Sequence, residues 1–143
     1  MATNLFKLEV VSPDRVFYTG DVEMVEMNTT EGEIGVYPGH IPTTAIVAPG
    51  MLRIHEEGEV KEAVLLEGIV KILGDGITIL AEACEWPEEI DIVRANEAKI
   101  RAERRLKGLD GEVNVDRAAI ALRRSIVRIQ AAEKYGKLKD VIN

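Results

Sequence analysis

The sequence predicts an α+β protein, in which an N-terminal antiparallel β-sandwich of about nine or ten short strands precedes a two-helix antiparallel hairpin. The apolar pattern supports this, because it changes near Asp91 from short segments separated by turn formers to a helical period. Charge changes at the same place. Residues 1–88 hold 5 Lys/Arg against 16 Asp/Glu, a net of −11, and residues 89–143 hold 13 against 9, a net of +4. We therefore assign residues 1–88 to the sandwich and residues 89–143 to the hairpin.

The predicted strands are short apolar segments at residues 5–11, 15–18, 22–27, 34–36, 43–47, 51–55, 60–66, 69–73 and 77–81. Residues 22–27 alternate apolar and acidic side chains, as expected of a strand with one buried face. Turn-forming residues lie between the strands, at 12–14, 19–21, 31–32, 38–39, 49–50, 57–58 and 74–76. This spacing is typical of a sandwich or barrel.

Two helices follow a joint at residues 85–89, where Pro87 interrupts regular structure and favours an extended Trp86. Asp91 is the predicted N-cap of the first helix, and Gly108 is its predicted C′ residue. One face of this helix carries Ala95, Ala98, Ala102 and Leu106. Asn114 is the predicted cap of the second helix, whose apolar stripe is Val115, Ala118, Ala119, Leu122, Ile126 and Ile129. Arg117, Arg124 and Arg128 are placed opposite this stripe, beside a second apolar patch of Ile120 and Val127.

Catalytic motifs are absent from the sequence, which contains no Walker A, Gly-x-Gly-x-x-Gly or Gly-x-Ser-x-Gly pattern. The single cysteine, Cys84, is expected in packing, and with His40 and His55 it is too few for a zinc or iron cluster. We therefore expect no catalysis, no metal site and no required cofactor, although carboxylate-only metal sites and paired catalytic carboxylates stay open from the sequence. The acidic first part argues against nucleic acid. No apolar run is long enough to span a membrane, and the start lacks a secretory signal pattern. A single cysteine cannot form an internal disulfide, which fits a reducing cytoplasm.

Residues 37–42 read Tyr-Pro-Gly-His-Ile-Pro, a segment rich in turn formers. One interpretation is two linked turns between strands, with His40 as a satisfied polar side chain. The other is a docking surface, because a stiff loop loses little entropy when a partner binds.

Residues 32–42, with residues 8–14 and 49–54, resemble the epsilon subunit of bacterial-type rotary (F-type) ATP synthase. The resemblance covers essentially the whole chain, including residues 118–124 of the last helix. It departs at residues 66–70, where the family often has a glycine pair followed by an aromatic residue.

The resemblance implies a non-catalytic rotor subunit on the cytoplasmic face of the cell membrane, bound peripherally within a complex that translocates H⁺ or Na⁺. The sandwich would bind the gamma subunit and the ring of c subunits, with Tyr37, Pro38, Gly39 and His40 as the docking loop. The hairpin would fold on the sandwich, or extend towards the beta and alpha subunits and inhibit ATP hydrolysis. Its +4 charge would complement acidic segments there.

Residues 90–95 match the Ile/Leu-Asp-x-x-Arg-Ala motif of ATP-binding members of this family. The resemblance implies an ATP site formed by Glu85, Ile90, Asp91, Arg94, Ala95, Arg124 and Arg128, with Arg101 as a weaker candidate. Arginine side chains suit phosphate oxygens, and Asp91 can accept from an amino or hydroxyl group. The alternative for the site is that Asp91 only caps the helix and Arg94 is solvated. Bound ATP would stabilise the folded hairpin without being hydrolysed.

Two other functions stay open from the residues. The first is a free cytosolic nucleotide-binding module whose hairpin acts as a lid, and co-purification with a membrane-bound synthase would separate it from a rotor subunit. The second is an enzyme built on the β-sandwich, which would require turnover by this chain alone.

Overall fold

Ten strands and two α-helices follow one another in the computed structural model, which describes residues 4–111 and 114–136. The strands are β1 (Phe6–Val11), β2 (Val16–Val22), β3 (Met24–Thr29), β4 (Gly32–Val36), β5 (Thr43–Val47), β6 (Gly50–Glu56), β7 (Glu59–Leu65), β8 (Gly68–Leu73), β9 (Gly76–Ala81) and β10 (Cys84–Glu85). The helices are α1 (Ile92–Leu106) and α2 (Val115–Ala131), and the chain divides into two compact units between Glu85 and Trp86. Residues 1–3, 112–113 and 137–143 of the two predicted domains lie outside the described residues.

The strands form one hydrogen-bonded sheet in the order β10-β7-β6-β3-β5-β8-β9-β1-β2, and β4 pairs with the other side of β3. The α+β class with strands before a helix pair is confirmed. One pair departs from the antiparallel pattern, because β1 lies parallel to β9, with Leu8 opposite Ile77. Parallel neighbours cannot be joined by a hairpin turn, and seven other strands separate β1 from β9 in the chain.

The core of the first unit is built by alternation along the strands. Phe6, Leu8 and Val10 of β1 are buried, whereas the residues between them are half-buried or exposed. The largest fully buried side chains of this unit are Leu8, Met27, Leu52, Ile54, Leu65, Leu66, Ile72 and Ile79. Each contributes about 1.5–3 kcal/mol by leaving water, so this alternation is the main source of stability of the sheet.

The prediction of a turn at residues 19–21 is wrong, because β2 continues through them to Val22. Gly20 pairs with Leu8 of β1. A Cβ atom at Gly20 would lie 2.8 Å from the hydroxyl oxygen of Tyr18, which donates a 2.7 Å hydrogen bond to Glu56. The glycine therefore allows a close approach inside a strand.

The hairpin unit begins after the joint. Pro87 opens a 3₁₀ turn at Pro87–Glu89, and Trp86 is extended, as predicted. Gly108 ends α1 with a φ of 74°, as predicted, and the N–H of Leu109 donates to the carbonyl of Arg104 at 3.0 Å. A π-helical turn at Ala132–Gly136 follows α2.

The predicted apolar stripe of α2 is only partly buried. Of the stripe, Ala118 is buried and Leu122 and Ile129 are half-buried, whereas Ala119 is exposed, Val115 is 60% exposed and Ile126 is 36% exposed. Ser125 and Ala131, which were not in the predicted stripe, are buried. In α1 the buried residues are Ala95 and Ala102, as predicted, with Ala98 half-buried. Apart from Val127, the buried positions of both helices hold small residues, which let two helices approach closely. The second predicted patch is also divided, since Val127 is buried and Ile120 is exposed.

Candidate functional site

The first turn of α1 is fixed by Asp91. Its Oδ1 accepts hydrogen bonds from the backbone N–H groups of Val93 and Arg94, both at 3.1 Å. This confirms Asp91 as the N-cap. Its other carboxylate oxygen accepts no hydrogen bond from any residue within 4–111 and 114–136, so it is available to a ligand donor.

The other motif residues surround this cap. Ile90 is half-buried, and its N–H donates to the carbonyl of Pro87 at 3.2 Å. Arg94 is exposed, and Ala95 is buried one position later. Glu85 lies in the first unit, at the end of β10 and opposite Val64 of β7. The hairpin thus brings Ile90, Asp91, Arg94 and Ala95 together at one end of α1.

Arg124 and Arg128 lie on the half-buried side of α2. The sequence analysis placed them opposite the apolar stripe, whereas in the structure both are half-buried and border the buried positions of α2. They are four residues apart, roughly 6 Å along the axis. Because the helices are antiparallel, Arg128 near the end of α2 lies at the same end of the hairpin as Arg94. Arg124 lies one turn further from that end and lines a cavity with Asn114, Arg117 and Ile120. Guanidinium groups such as those of Arg94 and Arg128 suit phosphate oxygens.

The loop between β4 and β5 is held by local hydrogen bonds. The N–H of His40 donates to the carbonyl of Tyr37 at 3.2 Å, and Gly39 adopts a φ of 82°. The Nδ1 atom of His40 lies 2.7 Å from the carbonyl oxygen of Ile41, which also accepts a 2.8 Å bond from the Thr43 hydroxyl. Tyr37 is 60% exposed and Ile41 is 77% exposed. The loop therefore presents two large apolar side chains on a braced turn.

One exposed apolar row crosses five adjacent strands of the sheet. Strand register places Ile46 opposite Ile69, Ile69 opposite Leu80, Leu80 opposite Val11, and Val11 opposite Val16. Val11 is half-buried, and the other four side chains are between 46% and 60% exposed. We call these five residues the apolar row. A contiguous exposed apolar patch on a folded chain is characteristic of a surface that binds another protein.

Sequence reasoning missed the apolar row, although a local signal was present. A strand with one buried face alternates apolar and polar residues, whereas all five of these strands contain apolar doublets, at residues 10–11, 16–17, 46–47, 69–70 and 79–80. Doublets show that both faces of a strand are apolar, and only the register shows that the outer members align.

Within residues 4–111 and 114–136 no group of three His, Cys, Asp or Glu side chains is placed to hold a metal ion. No helix in this described part is long and apolar enough to cross a membrane.

Two family models match the chain in sequence. Residues 5–87 match the beta-sandwich domain of the ATP synthase delta/epsilon chain, and residues 88–133 match the long alpha-helix domain of the same chain.

Curated relatives agree with these models. The chain is 46% identical over 134 residues to the ATP synthase epsilon chain of Caldanaerobacter subterraneus, covering 93% of this chain and 97% of the relative. It is 44% identical to the ATP synthase epsilon chain of Ruminiclostridium cellulolyticum, covering 94% and 98%.

Solved structures show the same fold. A chain of the Euglena gracilis mitochondrial ATP synthase, in an assembly of OSCP, F1 and c-ring, superposes with a TM-score of 0.77 at 26% identity, covering 90% of this chain and 81% of that one. A chain from the central stalk and c-ring of the Tetrahymena thermophila mitochondrial ATP synthase gives 0.57 at 15% identity, covering 94% and 98%, and shows likeness of fold alone.

Proposed function

Because the chain belongs to the ATP synthase delta/epsilon chain family, we propose that it is a non-catalytic rotor subunit of the central stalk. In this role it connects the catalytic head to the membrane ring of an ATP synthase that translocates H⁺ or Na⁺, at the cytoplasmic face of the membrane. The similarity at 26% identity to a chain of a mitochondrial ATP synthase assembly of OSCP, F1 and c-ring supports this position.

The apolar row is the observation that carries the docking role. We assign it to the gamma subunit, because a permanent contact inside a rotor requires an apolar surface that is buried in the complex. Burying a large apolar side chain contributes about 1.5–3 kcal/mol, so several exposed side chains in register supply a substantial part of a stable interface. The docking loop, with exposed Tyr37 and the adjacent exposed Ile41, is assigned to the ring of c subunits.

Charge substitution in the apolar row tests this docking. Ile46→Asp places a carboxylate within the row, and Thr44→Asp is its control, because Thr44 is exposed on the same face of β5. We expect Ile46→Asp to reduce co-purification with gamma at least tenfold while Thr44→Asp has little effect. Equal retention of both variants in the complex, measured by quantitative pull-down, would contradict the assignment.

The hairpin is proposed as the regulatory element. Its exposed basic side chains, among them Arg101, Arg105 and Arg117, complement acidic segments of beta and alpha subunits when the hairpin extends. Extension obstructs rotation in the direction of hydrolysis. Removing residues 89–143 within the reconstituted complex should therefore raise ATP hydrolysis at low ATP, and unchanged hydrolysis would contradict inhibition while leaving docking intact.

ATP is proposed as the ligand that keeps the hairpin folded. The Asp91 carboxylate oxygen that is not used in capping would accept from the adenine or ribose, and Arg94, Arg124 and Arg128 would bind phosphates. Because these groups come from both helices, separating the helices would lose the ligand. Each tenfold rise in ATP above its dissociation constant adds about 1.4 kcal/mol to the folded form.

Calorimetry on the full chain tests the site. Arg94→Ala and Arg124→Ala should weaken ATP binding at least tenfold, because each removes a charged phosphate ligand. Arg123→Ala is the matched control, since Arg123 is exposed on the same helix and is not among the proposed ligands. The ATP site would be refuted by absence of binding at millimolar ATP, or by equal affinities in all three variants.

A further inference from the structure

A second basic site lies at the opposite end of the hairpin, where α1 turns into α2. A cavity of about 450 Å³ opens there, lined by Arg101, Arg105, Asp110, Asn114, Arg117 and Ala118. Arg101 and Arg105 are one turn apart on α1, and Arg117 stands in the first turn of α2. Three guanidinium groups from two helices thus line one cavity.

The carboxylate in this cavity is already engaged. Asp110 accepts a hydrogen bond from Nη2 of Arg104 at 3.0 Å and another from Nε at 3.3 Å, a bidentate pair. Arg101, Arg105 and Arg117 make no ion pair with any residue that the structure describes. Like charges at i and i+4 of a helix repel each other, so the cavity holds positive charge that an anion would relieve.

We propose that this cavity binds a phosphate group, either free inorganic phosphate or the phosphates of a larger polyphosphate. Guanidinium groups pair with phosphate oxygens in forked, charge-assisted hydrogen bonds. The N-terminus of α2, capped by Asn114 through a 3.0 Å bond to the N–H of Arg117, adds the positive end of a helix dipole.

This site lies away from Arg94 and Arg128 of the proposed ATP site, and it shares with that site only Arg101, its weaker candidate. Arg105 is eleven residues beyond Arg94 on α1, roughly 16 Å along the axis, and Arg117 is separated from Arg128 by the same span on α2. A phosphate at the turn end bonds to both helices, so it holds the turn end closed whatever occupies the other end. The inference rests on Arg105 and Arg117, which are not among the proposed ATP ligands.

The test is a titration of the full chain, followed by NMR of the arginine Nε–H signals. Sodium phosphate, pyrophosphate and ATP are added separately, with chloride adjusted to keep ionic strength constant. Arg105→Gln and Arg117→Gln remove cavity charges. Arg123→Gln is the matched control outside the cavity, and Arg94→Ala removes a ligand of the proposed ATP site. Circular dichroism verifies the helix content of each variant. Arg105→Lys keeps the positive charge but lacks the forked guanidinium group that binds two phosphate oxygens at once.

We expect saturable shifts at Arg101, Arg105 and Arg117, an apparent dissociation constant about tenfold higher in Arg105→Gln and Arg117→Gln, and no change in Arg123→Gln. Saturation by inorganic phosphate identifies the free ion as a sufficient ligand, and saturation by only pyrophosphate or ATP identifies a polyphosphate. Shifts that do not saturate, or that are equal in all variants, overturn the site. The site is also overturned if Arg94→Ala abolishes the response to phosphate while Arg105→Gln retains it. Loss of ATP binding in Arg94→Ala with phosphate binding retained would leave the two sites separate.

Discussion

Asp91 has two proposed roles, helix cap and ATP ligand, and substitution to asparagine separates them. Asparagine keeps an oxygen that can accept from the N–H groups of Val93 and Arg94, both 3.1 Å from the present carboxylate, but it carries no charge. Asp91→Ala removes both functions. Asn114→Ala is the matched control, because Asn114 caps α2 at 3.0 Å and is not a proposed ATP ligand.

The expected magnitudes differ for the two roles. Loss of an N-cap costs about 1 kcal/mol of helix stability, so Asp91→Ala and Asn114→Ala should both lower the free energy of unfolding of the hairpin by about that amount. Asp91→Asn should lower it by only about 0.3–1 kcal/mol, the contribution of a negative charge at a helix N-terminus. At ATP one hundred times the dissociation constant, ligand binding adds about 2.7 kcal/mol, and a tenfold weaker affinity removes about 1.4 kcal/mol of this gain.

Urea unfolding followed by the helical circular dichroism signal, with and without ATP, measures both quantities. Asp91→Asn should retain most of its stability without ATP and lose about half of the ATP-dependent gain. Asn114→Ala should lose about 1 kcal/mol of stability without ATP and keep the full ATP-dependent gain. A full ATP-dependent gain in Asp91→Asn would refute the ligand role, and unchanged stability of Asp91→Ala would refute the cap.

Two further predictions concern the sheet. Gly68→Ala should lower the free energy of unfolding of the first unit by several kcal/mol, because the added Cβ would overlap the carbonyl oxygen of Leu80. Gly74→Ala is the control and should change stability little, because nothing lies within 4 Å of a Cβ there. Equal urea midpoints for the two variants would contradict this. Burial and the hydrogen bond to Glu56 raise the pKa of Tyr18, so stability should be fully present below the ordinary pKa of about 10 and fall as pH rises above it. Tyr18→Phe should lack this alkaline fall in an unfolding series, and an identical fall in the variant would exclude Tyr18 as its source.

The ends of both helices were predictable because capping is local. Asp91 accepts from residues two and three positions later, and Gly108 needs only its own positive φ. The turn at residues 19–21 was not predictable from the same kind of rule. A glycine permits both a turn and a close approach within a strand, and the neighbour that decides here is β1, paired across the sheet.

The candidate ATP site was predictable as a set of residues, by resemblance to a family motif, but not as a geometry. Asp91 and Arg94 share one turn, so their proximity follows from the helix period. The position of Arg124 and Arg128 beside the buried face depends on which side of α2 meets α1, and a helix with apolar residues on two sides leaves that choice to packing.

The sequence by itself determined the order of strands and helices, the joint near Pro87, the alternating core and the family, because each depends on residues that are near one another in the chain or on motifs read in order. Only the tertiary structure decided which apolar residues form a continuous surface and which arginines share a cavity. Val11 and Leu80 become neighbours through a parallel pairing of β1 with β9, and Arg105 and Arg117 through the turn between α1 and α2. Surfaces and cavities arise from contacts between segments that are distant in the chain. These contacts depend on how all the side chains of a unit pack together, which no local pattern specifies.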